Sequence, residues 1–172
     1  MKNPLFMNDH ILRDKRTKLP LKIRGEFDLP TPDGGEDPII TFLFSNAEDL
    51  GIKMQPKDLK KTRDLKTPTG RVVSFEQLKD NIRIIGTEIN VRLDQASRIK
   101  QIDLTHIHDI AILQPVKDEK PKPASDSVKT ATNSIGKHTL RQNIANPEKV
   151  YFPTPKGLKL AYEVLILTWR RR

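Results

Sequence analysis

The sequence predicts an α+β fold of two small layers, each a helix on an antiparallel sheet, joined by a Pro/Lys-rich linker and preceded by an extended N-terminal arm. Three observations lead to this prediction. Apolar residues recur at helical spacing after Asp37, apolar and polar residues alternate along 82–94, and prolines and charges fill 115–126. The chain has 172 residues, which is enough for one ordinary domain or two small ones.

The N-terminal segment 1–37 has few periodic apolar positions. Its prolines at 4, 20, 30 and 32 and the turn pattern Asp33-Gly34-Gly35 favour an extended arm. Within that arm, 19–25 has the pattern of a short strand.

The first helix is predicted to begin at Pro38. Asp37 suits the N-cap because its carboxylate accepts backbone N–H bonds, and proline at the first helical position loses no hydrogen bond. Gly51 supplies the left-handed residue that ends the helix. The apolar stripe, which core packing explains, consists of Ile39, Ile40, Leu43, Ala47 and Leu50, widened by Phe42 and Phe44.

Strand patterns follow this helix. After a single predicted helical turn over 56–62 and a turn over 67–70, strands are expected over 71–79, 82–94 and 98–105. Turns are expected at Asp80-Asn81 and over 94–97, with a kink at Gly86. The segment 111–113 is expected to add a last short strand.

A second domain is predicted beyond the linker. Ser127 is expected to cap a helix that runs to about Gln142. The side chains expected to face inward from this helix are those of Val128, Ala131, Ile135 and Leu140. After the helix, 150–152 is expected to pair with 158–167 across the turn 153–157. The predicted organisation is an arm over 1–37, a domain over 38–114, a linker over 115–126 and a domain over 127–172.

Composition narrows the function classes. Lys and Arg outnumber Asp and Glu by nine, so the chain has a net positive charge. This charge favours binding to an acidic protein, to nucleic acid or to an anionic surface, or it serves only to keep the protein soluble. The absence of cysteine excludes disulfides and thiolate metal sites. The sequence lacks an apolar run long enough to span a membrane, and its first residues lack the apolar stretch of a signal peptide.

The stretch 73–94 resembles the fungalysin/thermolysin propeptide motif, found in the pro-regions of secreted zinc metallopeptidases. That motif reads approximately Phe-Gln-Gln-x-Tyr-x-Gly-Ile-Pro-Val-x-Gly-x-Glu-Val-x-Val-x-Leu-Asp. Lys79 stands where the family has Tyr, and Arg83 where it has Pro. The residues in register are Phe75, Gln77, Ile82, Gly86, Glu88, Val91, Leu93 and Asp94, with Asn81 in place of the family's glycine.

A second stretch, 150–164, resembles the PepSY part of the same pro-regions, which often read Leu-Val-Tyr-x-Pro-Thr-x-Gly-x-x-Leu-Ala-Trp-x-Val. Together the resemblance covers about 38–167, with the two motifs in the family's order. It implies a non-catalytic pro-region that acts as folding chaperone and inhibitor of a thermolysin-like peptidase, in cis or in trans, and an exported protein. Zinc is then expected only in that peptidase, and this chain needs no cofactor.

The partner-binding surface is predicted at the second hairpin and the C-terminal end. The residues assigned to it are Tyr151, Phe152, Leu158, Tyr162 and Trp169.

No catalytic constellation is predicted. The sequence contains no His-Glu-x-x-His, no Gly-rich phosphate loop and no motif that links a serine to a histidine. His106 and His108 would face the same side of a strand and are weak zinc candidates, since a zinc site needs a third ligand.

Two other functions are weighed against the pro-region. One is a structural or adaptor protein that reuses the propeptide fold within a larger assembly. The other, less favoured, is a basic nucleic-acid binder, because the basic clusters have almost no neighbouring aromatic residues. The chain can equally be a separated pro-region, a stand-alone protein or part of a longer precursor.

Overall fold

The computed structural model describes residues 10–31, 34–105, 115–116, 123–134, 139–140, 146–166 and 168–169, with only the backbone of 139–140 and 168–169. The described residues form an α+β fold, which confirms the predicted class. The chain divides into two compact units, 1–81 with 86–113, and 82–85 with 114–172. No helix within the described ranges is long and apolar enough to cross a membrane.

The first unit is built on a sheet with strand order β1-β2-β6-β5-β4-β3. The β1–β2, β2–β6, β6–β5 and β3–β4 pairs are antiparallel. The strands are β1 Ile11–Arg13, β2 Pro20–Phe27, β3 Leu59–Thr67, β4 Gly70–Lys79, β5 Ile82–Leu93 and β6 Ile99–Thr105.

The turns between these strands follow the predicted residue types. Asp80 and Asn81 both have positive φ, as expected of a tight hairpin turn between β4 and β5. Between β5 and β6, the Asp94 carboxylate accepts the backbone N–H of Arg98 at 2.9 Å. The predicted turn at 67–70 lies between β3 and β4.

Strand β5 changes the phase of its burial at Gly86. Before it, Ile84 is buried, and after it Ile89, Val91 and Leu93 are buried at odd-numbered positions. Gly86 has φ +79°, the left-handed region that glycine enters without a steric penalty. The extended backbone of β5 is therefore irregular at Gly86, the residue at which the sequence predicted a kink.

The predicted first helix begins at Pro38 as expected but has a break. Helix α1 spans Pro38–Ser45 and helix α2 spans Ala47–Leu50. The Asp37 side chain accepts the N–H of Ile39 at 2.9 Å. Asn46, whose side-chain amide donates to the Phe42 carbonyl at 2.8 Å, separates the two helices. Gly51 ends α2 with φ +69°, as predicted.

The core of the first unit joins helix and sheet side chains. Ile39 and Leu43 of α1 belong to the same buried cluster as Phe75 of β4 and Ile102 of β6. The rings of Phe27 and Phe42 lie 5.9 Å apart between centroids, a separation typical of favourable aromatic pairs. Burial of such apolar surface is the main stabilising contribution to this unit.

The described residues of the second unit include one helix and two antiparallel strand pairs. Helix α3 spans Ala124–Ser134, β7 Thr139–Leu140 pairs with β10 Thr168–Trp169, and β8 Glu148–Thr154 pairs with β9 Gly157–Glu163. Strand β8 also pairs in parallel with the first residues of β5. The predicted hairpin is thus present, although its turn is shorter and its second strand ends earlier than expected.

The N-terminal arm is a correction to the sequence prediction, apart from the short strand predicted over 19–25, which β2 confirms. Residues 11–27 form β1 and β2, and Ile23 is fully buried in the core. The prolines did not prevent this, because Pro20 occupies the first residue of its strand, where the missing N–H is tolerated.

The segment 56–62 is also corrected. A 3₁₀ turn covers only Pro56–Asp58, and β3 begins at Leu59. The buried Leu59 side chain and pairing with β4 outweigh the weak helical pattern of the lysines.

The helix of the second unit begins earlier and ends earlier than predicted. Ser127 lies inside α3 and donates its hydroxyl to the Pro123 carbonyl at 3.3 Å, so it is not the N-cap. The helix does not extend to Gln142, because 139–140 pair as a strand. Val128 and Ala131 are only half-buried, and no described residue of α3 is fully buried.

The predicted strand 111–113, Ile135 and most of the linker lie outside the described residues.

Two glycines give a matched test of the backbone. A Cβ at Gly70 would lie 2.0 Å from the Leu93 carbonyl oxygen, and φ there is +148°, whereas a Cβ at Gly86 would meet nothing within 4 Å. Gly86→Ala is therefore expected to cost about 1–2 kcal/mol from backbone strain alone. Gly70→Ala is expected to cost more than about 3 kcal/mol, because backbone atoms must move. Urea unfolding of both variants measures this, and equal losses would contradict the contact at Gly70.

Asp37 is expected to link stability to pH. Burial raises the pKa of Asp37. The ion pair with Lys61 and the hydrogen bonds from helix N–H groups lower that pKa by more than burial raises it, so it lies below the usual aspartate value of 3.8. A lowered folded pKa gives stability that is present above the unfolded value and lost as pH falls through the folded one. Asp37→Ala should lose about 1–2 kcal/mol at neutral pH, and Asp37→Asn less, because Asn still caps the helix.

The pH dependence of urea unfolding checks this link. The difference between the wild type and Asp37→Asn should stay constant down to the pKa of Asp37 in the unfolded chain, about 4, and shrink as the pH falls further towards its lower pKa in the folded protein. A difference that is as large well below that range as at neutral pH would contradict the charge contribution.

Candidate partner-binding surface

The β8–β9 hairpin forms a continuous ladder. Its register runs without a break from Glu148 opposite Glu163 to Thr154 opposite Gly157. Pro155 and Lys156 make the two-residue turn, and the Thr154 hydroxyl donates to the Gly157 carbonyl at 2.8 Å. Paired strands and a short turn hold the side chains of this hairpin in fixed alternation.

The predicted partner-binding residues are divided by this alternation. Phe152 is 52% exposed, and Tyr162 is half-buried. Tyr151 is 7% exposed and Leu158 is fully buried, so both stabilise the second unit and cannot present a binding face, which corrects their assignment. Trp169 lies in β10, and its side chain is outside the described part of the structure.

Arg83 is held by two carboxylates of this hairpin. Arg83 lies opposite Val150 in the parallel pairing of β5 with β8. Its guanidinium contacts Glu163 closely and Glu148 at 3.5 Å, while its side chain is only 19% exposed. The guanidinium is thus paired with two acidic side chains of the same unit, and such charge-assisted hydrogen bonds are stronger than neutral ones.

The other motif residues have structural roles. Glu88 and Ile82 are half-buried, and Asp94 bonds through its carboxylate to Arg98. The remaining members divide into buried positions and positions of positive φ, namely Phe75, Gln77, Val91 and Leu93 in the first group and Asn81 and Gly86 in the second. The motif therefore specifies the sheet and its turns, not a surface.

Gln77 is the polar member of this buried group. Its amide nitrogen lies 3.5 Å from the Met54 sulfur. Its Oε1 atom has no hydrogen-bond partner within the described part of the chain. An unpaired buried carbonyl is unfavourable, so Gln77 lowers stability unless a donor reaches it.

A cleft of about 590 Å³ lies beside Met54. It is lined by two segments, 53–58 and 78–81, including Lys53, Lys57 and Lys79 with Asp58 and Asp80. Sequence reasoning missed this cleft because its two walls are separated along the chain by β3 and most of β4. Three ammonium groups and two carboxylates line it, so its wall carries charges of both signs.

The metal prediction concerned His106 and His108, which lie outside the described residues. Among the residues that the structure does describe, no three His, Asp or Glu side chains are grouped so that they could hold a metal ion. His10 is exposed.

The resemblance to propeptides rests on the quoted residues alone, without support from comparison with known proteins. No protein-family model matches the chain, and no curated protein matches it.

The Arg83 contacts give a testable coupling. Arg83→Ala is expected to cost about 1 kcal/mol, because the guanidinium is mostly shielded while its carboxylate partners are partly exposed. A double-mutant cycle of Arg83→Ala with Glu163→Ala should give a coupling energy of about 0.5–1 kcal/mol, and the cycle with Glu148→Ala a smaller one.

Thermal or urea unfolding measures both cycles. Lys156→Ala, in the hairpin turn, is the control and should couple with neither carboxylate. Strictly additive losses for Arg83 and Glu163 would show that the contact does not contribute to stability.

Proposed function

We propose that this chain is a non-catalytic pro-region resembling those of thermolysin-like zinc metallopeptidases, and that it assists the folding of a cognate peptidase and inhibits it. In this proposal the 73–94 stretch and the 150–164 stretch are the two parts of one pro-region. The chain contributes a binding surface, and the chemistry belongs to the peptidase.

The observation that carries the proposal is the pairing of the two resembling stretches. Arg83 and Ile84, from the first stretch, pair with Val150 and Tyr151, from the second. The two stretches were identified independently by their residues, and a chance resemblance gives no reason for them to share hydrogen bonds. This pairing supports the interpretation that they form one functional module.

The hairpin has properties that suit an inhibitor. A peptidase acts on extended, unpaired backbone, and proteolysis of folded proteins follows local opening. The residues from Glu148 to Glu163 are paired along the whole ladder, which limits such opening. Phe152 nonetheless presents a large apolar side chain at 52% exposure, next to Lys159 in the register. An exposed aromatic residue on a rigid strand is a typical anchor at protein interfaces.

Charge also suits the proposal. The excess of nine positive charges favours association with an acidic partner and speeds the encounter. Rim charges of this kind act mainly on the association rate, so the proposed inhibition should weaken as salt increases.

Inhibition of a cognate peptidase tests the proposal. The enzyme is a His-Glu-x-x-His peptidase encoded in the same reading frame or an adjacent one, assayed with the purified chain in excess zinc so that chelation by histidines cannot mimic inhibition. We expect slow, tight inhibition and a higher yield of refolded enzyme. Phe152→Ala should weaken inhibition by about tenfold or more, as expected for a central anchor.

Leu165→Ala is the matched control, since Leu165 is 57% exposed in the same unit but lies outside the hairpin. It should change the inhibition constant by less than about threefold, as is usual for residues outside an anchor. If the chain neither inhibits the enzyme nor raises its refolding yield, the proposal fails. Co-purification with components of a large assembly, and no peptidase, would then favour the adaptor function.

A further inference from the structure

Strand β3 is the terminal strand of the first unit's sheet among the described residues. Residues 60–66 are exposed on both faces of this strand. A terminal strand presents every second backbone N–H and C=O group outward, where another chain can pair with it. Native proteins usually protect such an edge, so its particular side chains decide what can approach.

The side chains of β3 leave an excess of positive charge. Lys61 contacts Asp37 at 2.5 Å and Asp64 at 3.8 Å. Arg71 of β4 binds the Asp64 carboxylate through two nitrogens, at 2.7 and 2.5 Å. These contacts pair the Asp37 and Asp64 carboxylates with Lys61 and Arg71. Three cations of the strand have no ion-pair partner among the described residues, namely Lys60, Arg63 and Lys66.

The edge is regular over only part of its length. The register shifts between Lys61 and Arg63, which marks a bulge, and then runs evenly from Arg63 opposite Ser74 to Thr67 opposite Gly70. Leu65, at the centre of the regular part, is 50% exposed. By strand alternation Arg63 and Leu65 share one face, and Lys66 lies on the other.

We propose that the regular edge of β3, Arg63–Thr67, binds an extended acidic segment of a partner protein by adding it as a further antiparallel strand. Backbone hydrogen bonds would supply affinity, and carboxylates opposite Arg63 and Lys66 with an apolar side chain opposite Leu65 would supply specificity. This inference does not depend on the peptidase proposal, because it concerns a different unit of the chain and any partner with the required segment.

Charge argues against a second copy of this chain as the occupant. Two antiparallel copies of β3 would bring lysine and arginine side chains together, and like charges across strands are destabilising. The same charges attract an acidic strand. Leu65 and the ordered backbone edge favour a peptide over a nucleic acid, which would use the cations alone.

Peptide binding to the full chain tests the inference. The probe is a short acetylated, fluorescent peptide in which two Glu residues stand three positions apart around a Val, matching the spacing of Arg63 and Lys66. Anisotropy should show saturable binding that weakens with salt. Amide exchange should slow at outward-facing residues of 63–67 when the peptide is bound. A peptide with Lys in place of Glu should not bind.

Two comparisons separate strand addition from simple charge attraction. Methylating alternate backbone nitrogens of the peptide keeps its charges but removes the hydrogen bonds, and should weaken binding by about tenfold or more. Arg63→Glu with Lys66→Glu should do the same. The matched control, Lys15→Glu with Arg16→Glu, makes the same change in net charge at exposed positions in the turn after β1, the strand at the opposite end of the strand order from β3, and should have little effect.

Three results would overturn the inference. These are no saturable binding of the acidic peptide, equal binding of the methylated peptide, and tighter binding of a single-stranded oligonucleotide that depends on Arg63 and Lys66. Absence of saturable binding would mean that the cations only protect the edge. Equal binding of the methylated peptide would mean that they attract acidic chains non-specifically. Tighter oligonucleotide binding would mean that they contact nucleic acid.

Discussion

The architecture depends on how β5 distributes its side chains. This strand is longer than the others, and alternate residues after Gly86 enter the core of the first unit, among them Ile89, Val91 and Leu93. The residues before Gly86 belong to the second compact unit, where Arg83 and Ile84 pair with β8. Gly86 stands between the two sets, and its positive φ interrupts the regular extended backbone of the strand.

Ion pairs in this molecule lie where elements meet. Lys61 of β3 contacts Asp37 at the start of α1, Arg98 connects Asp94 and Glu26, and Arg83 contacts the β8–β9 hairpin. Each such pair contributes little by itself because the groups are partly exposed. Their common effect is to define local geometry around a core that apolar burial stabilises. Among the described residues, the buried polar side chains are Ser74, Gln77 and Thr87, none of which is charged.

The residues of the 73–94 stretch and the residues exposed to partners are largely different, and this difference matters for function. The residues that make the chain resemble a propeptide are mostly buried or in turns, so they report on the fold. Residues available to partners lie elsewhere, at Phe152 of the hairpin and along β3. A fold of this kind does not by itself fix what the protein binds, because the residues that specify the sheet differ from those that are exposed.

The sequence by itself determined the elements whose signals are local. Asp37-Pro38 predicted the helix start, Asp80-Asn81 the hairpin turn, and the alternation along 82–94 the buried face of β5. These depend on capping, positive φ and period-two burial, which few neighbouring residues specify. Only the tertiary structure decided that 11–13 form a strand, that Ile23 of β2 is part of the core, that Leu59 begins β3, and that Tyr151 and Leu158 are buried. Those outcomes depend on backbone pairing and burial between segments distant in sequence, and no local pattern encodes which strand or side chain a residue will meet.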